Sequence, residues 1–224
     1  MKTEVLYINK PLIYDPPYAF MPEYFHREFI DEFLSREADQ YKMIINCVGG
    51  DILDGFDVLS KINNSKKNVL IEVNGLCASA AVLLLFSNKE TIVPSNSVIM
   101  THEVSTCTKV TLLNIDEIRE SLEKMSSGLI VETYAKKLKQ KDFDLMTLLN
   151  GEHWYTGAEF CQLFNFSSTS ASGENYLNVA NAFFANNSGY IKTLEKIQNP
   201  LEKKEIETNE NKIKFINTQK LIKL

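Results

Sequence analysis

Short apolar runs alternate with amphipathic helices in the first half of the chain, and this alternation limits the possible folds more than any other feature. Val5–Ile8, Met43–Cys47 and Val69–Val73 are strand-like runs, and Met43–Cys47 reads as a buried strand. Between them, Tyr24–Arg36 carries Phe25, Phe29, Ile30, Phe33 and Leu34 at helical spacing, and Ile52–Ile62 carries Ile52, Phe56, Leu59 and Ile62 in the same way. Apolar residues recurring at i, i+3, i+4 and i+7 make one buried face of a helix. Strand, helix, strand, helix, strand in that order predicts parallel strands joined by crossover helices, hence a layered α/β domain.

The rest of the chain extends the pattern and then loses it. A helix is predicted from Ser79 to about Ser87, with strands at Thr91–Val93 and Val98–Thr101. A long helix follows over Leu112–Leu138, and shorter ones over Phe143–Asn150 and Gly157–Leu163. Trp154 between the last two reads as a packing anchor, because an indole buries a large area. After Phe166 the sequence turns Ser-rich, then Asn-, Lys- and Glu-rich. The expected division is a globular domain over 1–166 and a low-complexity tail over 167–224, flexible or scaffold-like.

Composition narrows the function classes. The 24 basic and 29 acidic residues leave a net charge of −5, which argues against a nucleic-acid binder with a basic face. The four cysteines form no C-x-x-C pair, so neither a disulfide framework nor a zinc site is expected. No metal and no cofactor is expected. The longest nearly apolar run, Ala78–Phe86, is about half of the ~20 residues that span a membrane. With no secretory leader in the first residues, the expectation is a reduced, cytoplasmic protein without membrane partners.

Three segments carry candidate chemistry. Cys47-Val48-Gly49-Gly50-Asp51 places a glycine pair at a strand-to-helix turn, where exposed amides suit an anion. Leu76-Cys77-Ala78-Ser79-Ala80-Ala81 surrounds one serine with small residues at a helix start, with the Ala80 N–H available as an oxyanion donor. Met100-Thr101-His102 ends a strand on a histidine, and imidazole can activate a serine hydroxyl as its base. Taken singly these read as a turn, an N-cap and a structural histidine. Their order on successive strand–helix units is far less common.

Ile45–Asp51, Asn74–Ala81 and Val98–Glu103 together resemble the Clp protease proteolytic subunit family, the ClpP-like serine peptidases, with the phage head maturation (prohead) protease branch as the nearest. The resemblance spans Val5–Phe166. It implies a ClpP/crotonase-like layered spiral of ββα units with a long handle helix at Leu112–Leu138. It also implies a serine endopeptidase with Ser79 as nucleophile, His102 as general base, and the Gly50 and Ala80 amides as the oxyanion hole. The polypeptide substrate would bind as an added strand beside Gly49. By the same resemblance the chain forms a homo-oligomeric ring, heptameric or stacked in pairs, and its partners include phage capsid or scaffold proteins.

The sequence departs from the family at three points. Cys47 and Val48 replace the Ser-Pro before the glycines. The third is the triad acid. Aligned from Thr156, the family's Asp falls on Ser167 and its glycine on Phe164, and no Asp follows Asp144. Glu159, Ser167 or Glu174 are the available substitutes. Two other readings stay open: a catalytically weakened or silent ring or scaffolding subunit, and a crotonase-like acyl-CoA enzyme, which would require neither Ser79 nor His102.

Overall fold

The computed structural model describes residues 1–12, 25, 28–106 and 110–169. They form a six-stranded sheet with helices packed on it. The strands are β1 (Thr3–Ile8), β2 (Gln40–Cys47), β3 (Val69–Ala78), β4 (Glu90–Ile92), β5 (Val98–Thr101) and β6 (His153–Thr156). They run in the order β1-β2-β3-β5-β6, with β4 also on β3. Every pair is parallel except β5 with β6. The predicted α/β layering is what the residues build.

Local chemistry explains most element limits. Helix α1 (Glu28–Ser35) is shorter than the predicted 24–36. Phe25 lies outside it, bridged to Leu12 with its N–H on the Pro11 carbonyl, while its ring meets Phe29 edge-on at 5.6 Å. Helix α2 (Ile52–Asn64) starts where the Asp51 carboxylate accepts the Leu53 N–H at 2.7 Å, an N-cap. It buries Val58, Leu59 and Ile62.

Strand β3 does not stop at Asn74-Gly75 as expected. The register passes from Ile45↔Val73 to Cys47↔Cys77, so β3 bulges there and then continues to Ala78. Gly75 supplies the positive φ of 110°, and Asn46 Oδ1 accepts the Leu76 N–H. The bulge lets β3 share one edge: its first half pairs with β4 and its second with β5.

Ser79–Phe86 is a 3₁₀ helix buried from Ala80 onward. Its Phe86 stacks on Tyr134 at a centroid distance of 4.2 Å and meets Phe164 edge-on at 4.9 Å. This aromatic cluster ties the 3₁₀ helix to the segments before and after α5. The predicted long helix is continuous over Ile115–Ala135, as α3 (Ile115–Glu123), a π-helical stretch (Lys124–Ile130) and α4 (Val131–Ala135). α3 buries none of its residues. Phe143–Asn150 reduces to one 3₁₀ turn, Leu145–Leu148.

Helix α5 (Gly157–Leu163) has the predicted limits, set by a capping box between Thr156 and Glu159. One correction lies beside it. The Trp154 segment is a strand, β6, and Trp154 is an edge residue 37% exposed, its indole N–H on Glu152. Backbone pairing continues past Phe166, since Val93 and Ser95 donate to the Ser167 and Thr169 carbonyls. The remaining tail, with the candidate Glu174, falls outside the described residues. No helix among the described residues is long and apolar enough to cross a membrane.

Candidate active site

Parallel register brings two of the predicted residues together. Ala78 on β3 aligns with Met100 on β5, so the residues just beyond both strand ends are neighbours. There the Ser79 Oγ lies 2.7 Å from His102 Nε2. Ser79 is the only non-glycine residue with positive φ among the described ones, at 54°. A left-handed turn disfavours an L-residue by about 1–2 kcal/mol. It is kept here because the strand must swing directly into the 3₁₀ helix, and the turn projects the hydroxyl beyond the sheet.

The glycine pair stands against this turn. A Cβ on Gly49 would lie 2.6 Å from the Ala78 carbonyl oxygen and from Ser79 Cβ, and 3.0 Å from the Ala80 nitrogen. Its φ of 98° also excludes other side chains without strain. On the outer side Leu12 adds a short parallel bridge. Its N–H donates to the Gly49 carbonyl at 2.8 Å, and its carbonyl accepts from Asp51 N–H at 3.0 Å. Amides alternate in direction along an extended chain, so these two bonds turn the Gly50 N–H away from Leu12. Neither Gly50 N–H nor Ala80 N–H has an acceptor among the described residues; Ala80 is the second residue of its helix, where amides have no intrahelical partner.

Cys47, in place of the family's serine, closes the loop from below. Its thiol reaches the Lys10 carbonyl at 3.1 Å and receives the Gly49 N–H at 3.3 Å. Burial pushes this thiol up to about 12 and Cys77 well above its ordinary value, so both are packing groups rather than nucleophiles.

The expected third member is not assembled. Among the described residues no carboxylate hydrogen-bonds to His102. Ser167 is exposed, paired opposite Ile92 on β4 and joined by backbone bonds to Thr91 and Val93. Ile92 aligns with Glu72 on β3, well before the Ala78 level from which Ser79 and His102 follow. Glu159 is committed to its cap: its Oε2 accepts from the Thr156 N–H and hydroxyl, and these bonds hold its carboxyl below its usual range.

A cleft of about 580 Å³ opens beside the pair, lined by Gly50, Ser79, Ala80 and His102 on one side and by α3 on the other. Sequence reasoning missed one of its residues. Thr101 is 1% exposed and its Oγ1 has no partner among the described residues. The only signal was a polar residue in an otherwise apolar strand.

A family model described as Clp protease matches residues 32–163. The match includes Gly49, Gly50, Ser79, Ala80 and His102, and ends before Ser167. A search of curated proteins finds no match.

Proposed function

The chain belongs to the Clp protease family, and on that premise we propose that it is a serine endopeptidase that cleaves through an acyl-enzyme on Ser79. The α/β sheet is of the ClpP-like kind, and the family is one of ring-forming peptide hydrolases. The observation that carries the site assignment is the 2.7 Å contact between Ser79 Oγ and His102 Nε2 at a strained turn beside two unengaged amides. In the reading we favour, the substrate lies as an added strand along Gly49. Ser79 Oγ attacks the scissile carbonyl carbon while its proton passes to His102 Nε2. The Gly50 and Ala80 N–H groups receive the oxyanion. The imidazolium then gives its proton to the departing amine nitrogen as the C–N bond breaks. Water, deprotonated by the same imidazole, cleaves the ester and restores Ser79.

Without an acid on the imidazole, turnover should be slow. In the serine proteases with a complete triad, neutralising the Asp costs about 10⁴ in kcat, while the remaining groups and the oxyanion hole still exceed water. A single processing event within an assembly tolerates such a rate. We therefore propose capsid maturation as the setting, with head or scaffold proteins as substrates and a homo-oligomeric ring as the working form. The support is the resemblance to the head maturation branch. The unsupported His102 equally favours a second reading, a ring subunit that kept the fold and lost turnover.

Labelling with a fluorophosphonate separates the two. The adduct should map to Ser79 by mass spectrometry and disappear in Ser79→Ala and His102→Ala. No adduct in any oligomeric state, at any pH from about 6 to about 9, would refute the peptidase reading and leave the structural one.

A further inference from the structure

The cleft beside Ser79 has a composition that selects among substrates. Its walls are apolar, with Leu53 and Leu83 from the body and Ile118, Leu122 and Met125 from the α3 side. Its charged lining residues, His102 apart, are all acidic: Asp51, Glu103 and Glu117. No Lys or Arg lines it among the described residues. Asp51 uses one carboxylate oxygen to cap α2. Glu103 and Glu117 have neither an ion pair nor a side-chain hydrogen bond among the described residues. Thr101, buried and with its Oγ1 unpartnered among the described residues, lines the same cleft. A buried hydroxyl without a partner carries an uncompensated desolvation cost, which a ligand donor would remove.

Resting on the peptidase reading above, we infer that this cleft is the specificity pocket and that it takes the side chain of a lysine or arginine next to the scissile bond. Such side chains combine an apolar stem with a cationic head. The stem lies on the leucine and isoleucine walls, and the head meets the field of Glu103 and Glu117 with Thr101 Oγ1 as an acceptor. A leucine would fill the walls but leave the carboxylates and the hydroxyl unanswered. An acidic side chain would meet like charge. The substrates are therefore basic peptide segments, cut after their cation.

The test uses the full-length protein in its native oligomer. Labelling of Ser79 is timed with three reagents: a plain fluorophosphonate without a side chain, and diphenyl phosphonates bearing a lysyl or a leucyl side chain. With the latter two, Ser79 Oγ bonds to phosphorus, phenoxide leaves and the serine proton passes to His102. The lysyl reagent should react about tenfold faster than the leucyl one, each rate divided by that of the plain reagent. The ratio should fall as salt rises, because exposed charges are screened. It should drop to near unity in Glu103→Gln/Glu117→Gln, and in Glu117→Lys it should invert. A leucyl preference in the wild type, with Ser79 still labelled by the plain reagent, overturns this inference and leaves the peptidase reading standing. A basic preference unchanged in the double variant overturns the carboxylates as its source. Absence of labelling by the plain reagent overturns both.

Discussion

The contact between Gly49 and the Ser79 turn can be tested against an internal control. Gly49 and Gly151 have nearly the same φ, 98° and 95°. They differ in surroundings. A Cβ on Gly151 meets nothing within 4 Å, whereas one on Gly49 lies 2.6 Å from the Ala78 oxygen and Ser79 Cβ. Alanine at either site incurs the left-handed cost of about 1–2 kcal/mol. At Gly49 a clash with backbone adds overpacking strain, typically ~1–3 kcal/mol. A shift of 1 kcal/mol moves the melting temperature of a chain this size by about 2–4 °C. Gly151→Ala should therefore melt a few degrees lower, and Gly49→Ala roughly 5–15 °C lower. The functional difference should be sharper. The added Cβ sits 3.0 Å from the Ala80 nitrogen, so relief of the clash displaces the amide proposed above as an oxyanion donor. Loss of one such donor costs about 10²–10³ in rate. Scanning calorimetry paired with the fluorophosphonate labelling rate reads both effects. Equal melting temperatures for the two variants, with labelling unimpaired in Gly49→Ala, would refute the argument that this glycine is required by the serine turn.

Other outcomes follow from the same structure. Ser167→Asp should change the Ser79 labelling rate by less than about threefold, because the Ser167 backbone is fixed opposite Ile92 and no hydrogen bond joins Ser167 to His102 among the described residues; a gain near the ~10⁴ attributed to a triad acid would make it the acid's seat. The buried thiols of Cys47 and Cys77 have raised folded pKa values, that of Cys47 about 12, so their contribution to stability is present below the ordinary thiol pKa and is lost as pH rises through the folded values. Peptide mapping after iodoacetamide treatment at about pH 8 should accordingly find both unmodified until denaturant is added. Thr156→Ala removes the N-cap of α5 and should cost about 1 kcal/mol, read as a small drop in the denaturation midpoint. Phe86→Ala opens the aromatic cluster and should cost roughly 3–5 kcal/mol; a loss under 1 kcal/mol, about one buried methylene, would show that Tyr134 and Phe164 close the gap.

Elements governed by neighbours in the chain were legible in the sequence. β5 and α5 have their predicted limits, because Pro94–Ser97 punctuates one and the Thr156–Glu159 capping box starts the other. β6 was not legible: four residues with no alternation become a strand only because β5 offers an unpaired edge. Phe25 likewise leaves the helical stripe it matches, since its backbone finds partners on Pro11 and Leu12.

The site divides along the same line. The sequence by itself determined the residue types: a serine among small neighbours, a histidine ending a strand, a glycine pair at a turn. Tertiary structure alone decided that Ser79 sits at positive φ, that the Ala78↔Met100 register sets its hydroxyl on His102, and that Leu12 turns the Gly50 N–H away from itself. It also decided that Ser167 stays on β4 and that Thr101 is buried beside an acidic cleft. The physical reason is that composition and spacing report local propensity, whereas register and orphaned polar atoms depend on which distant strand supplies the next hydrogen bond.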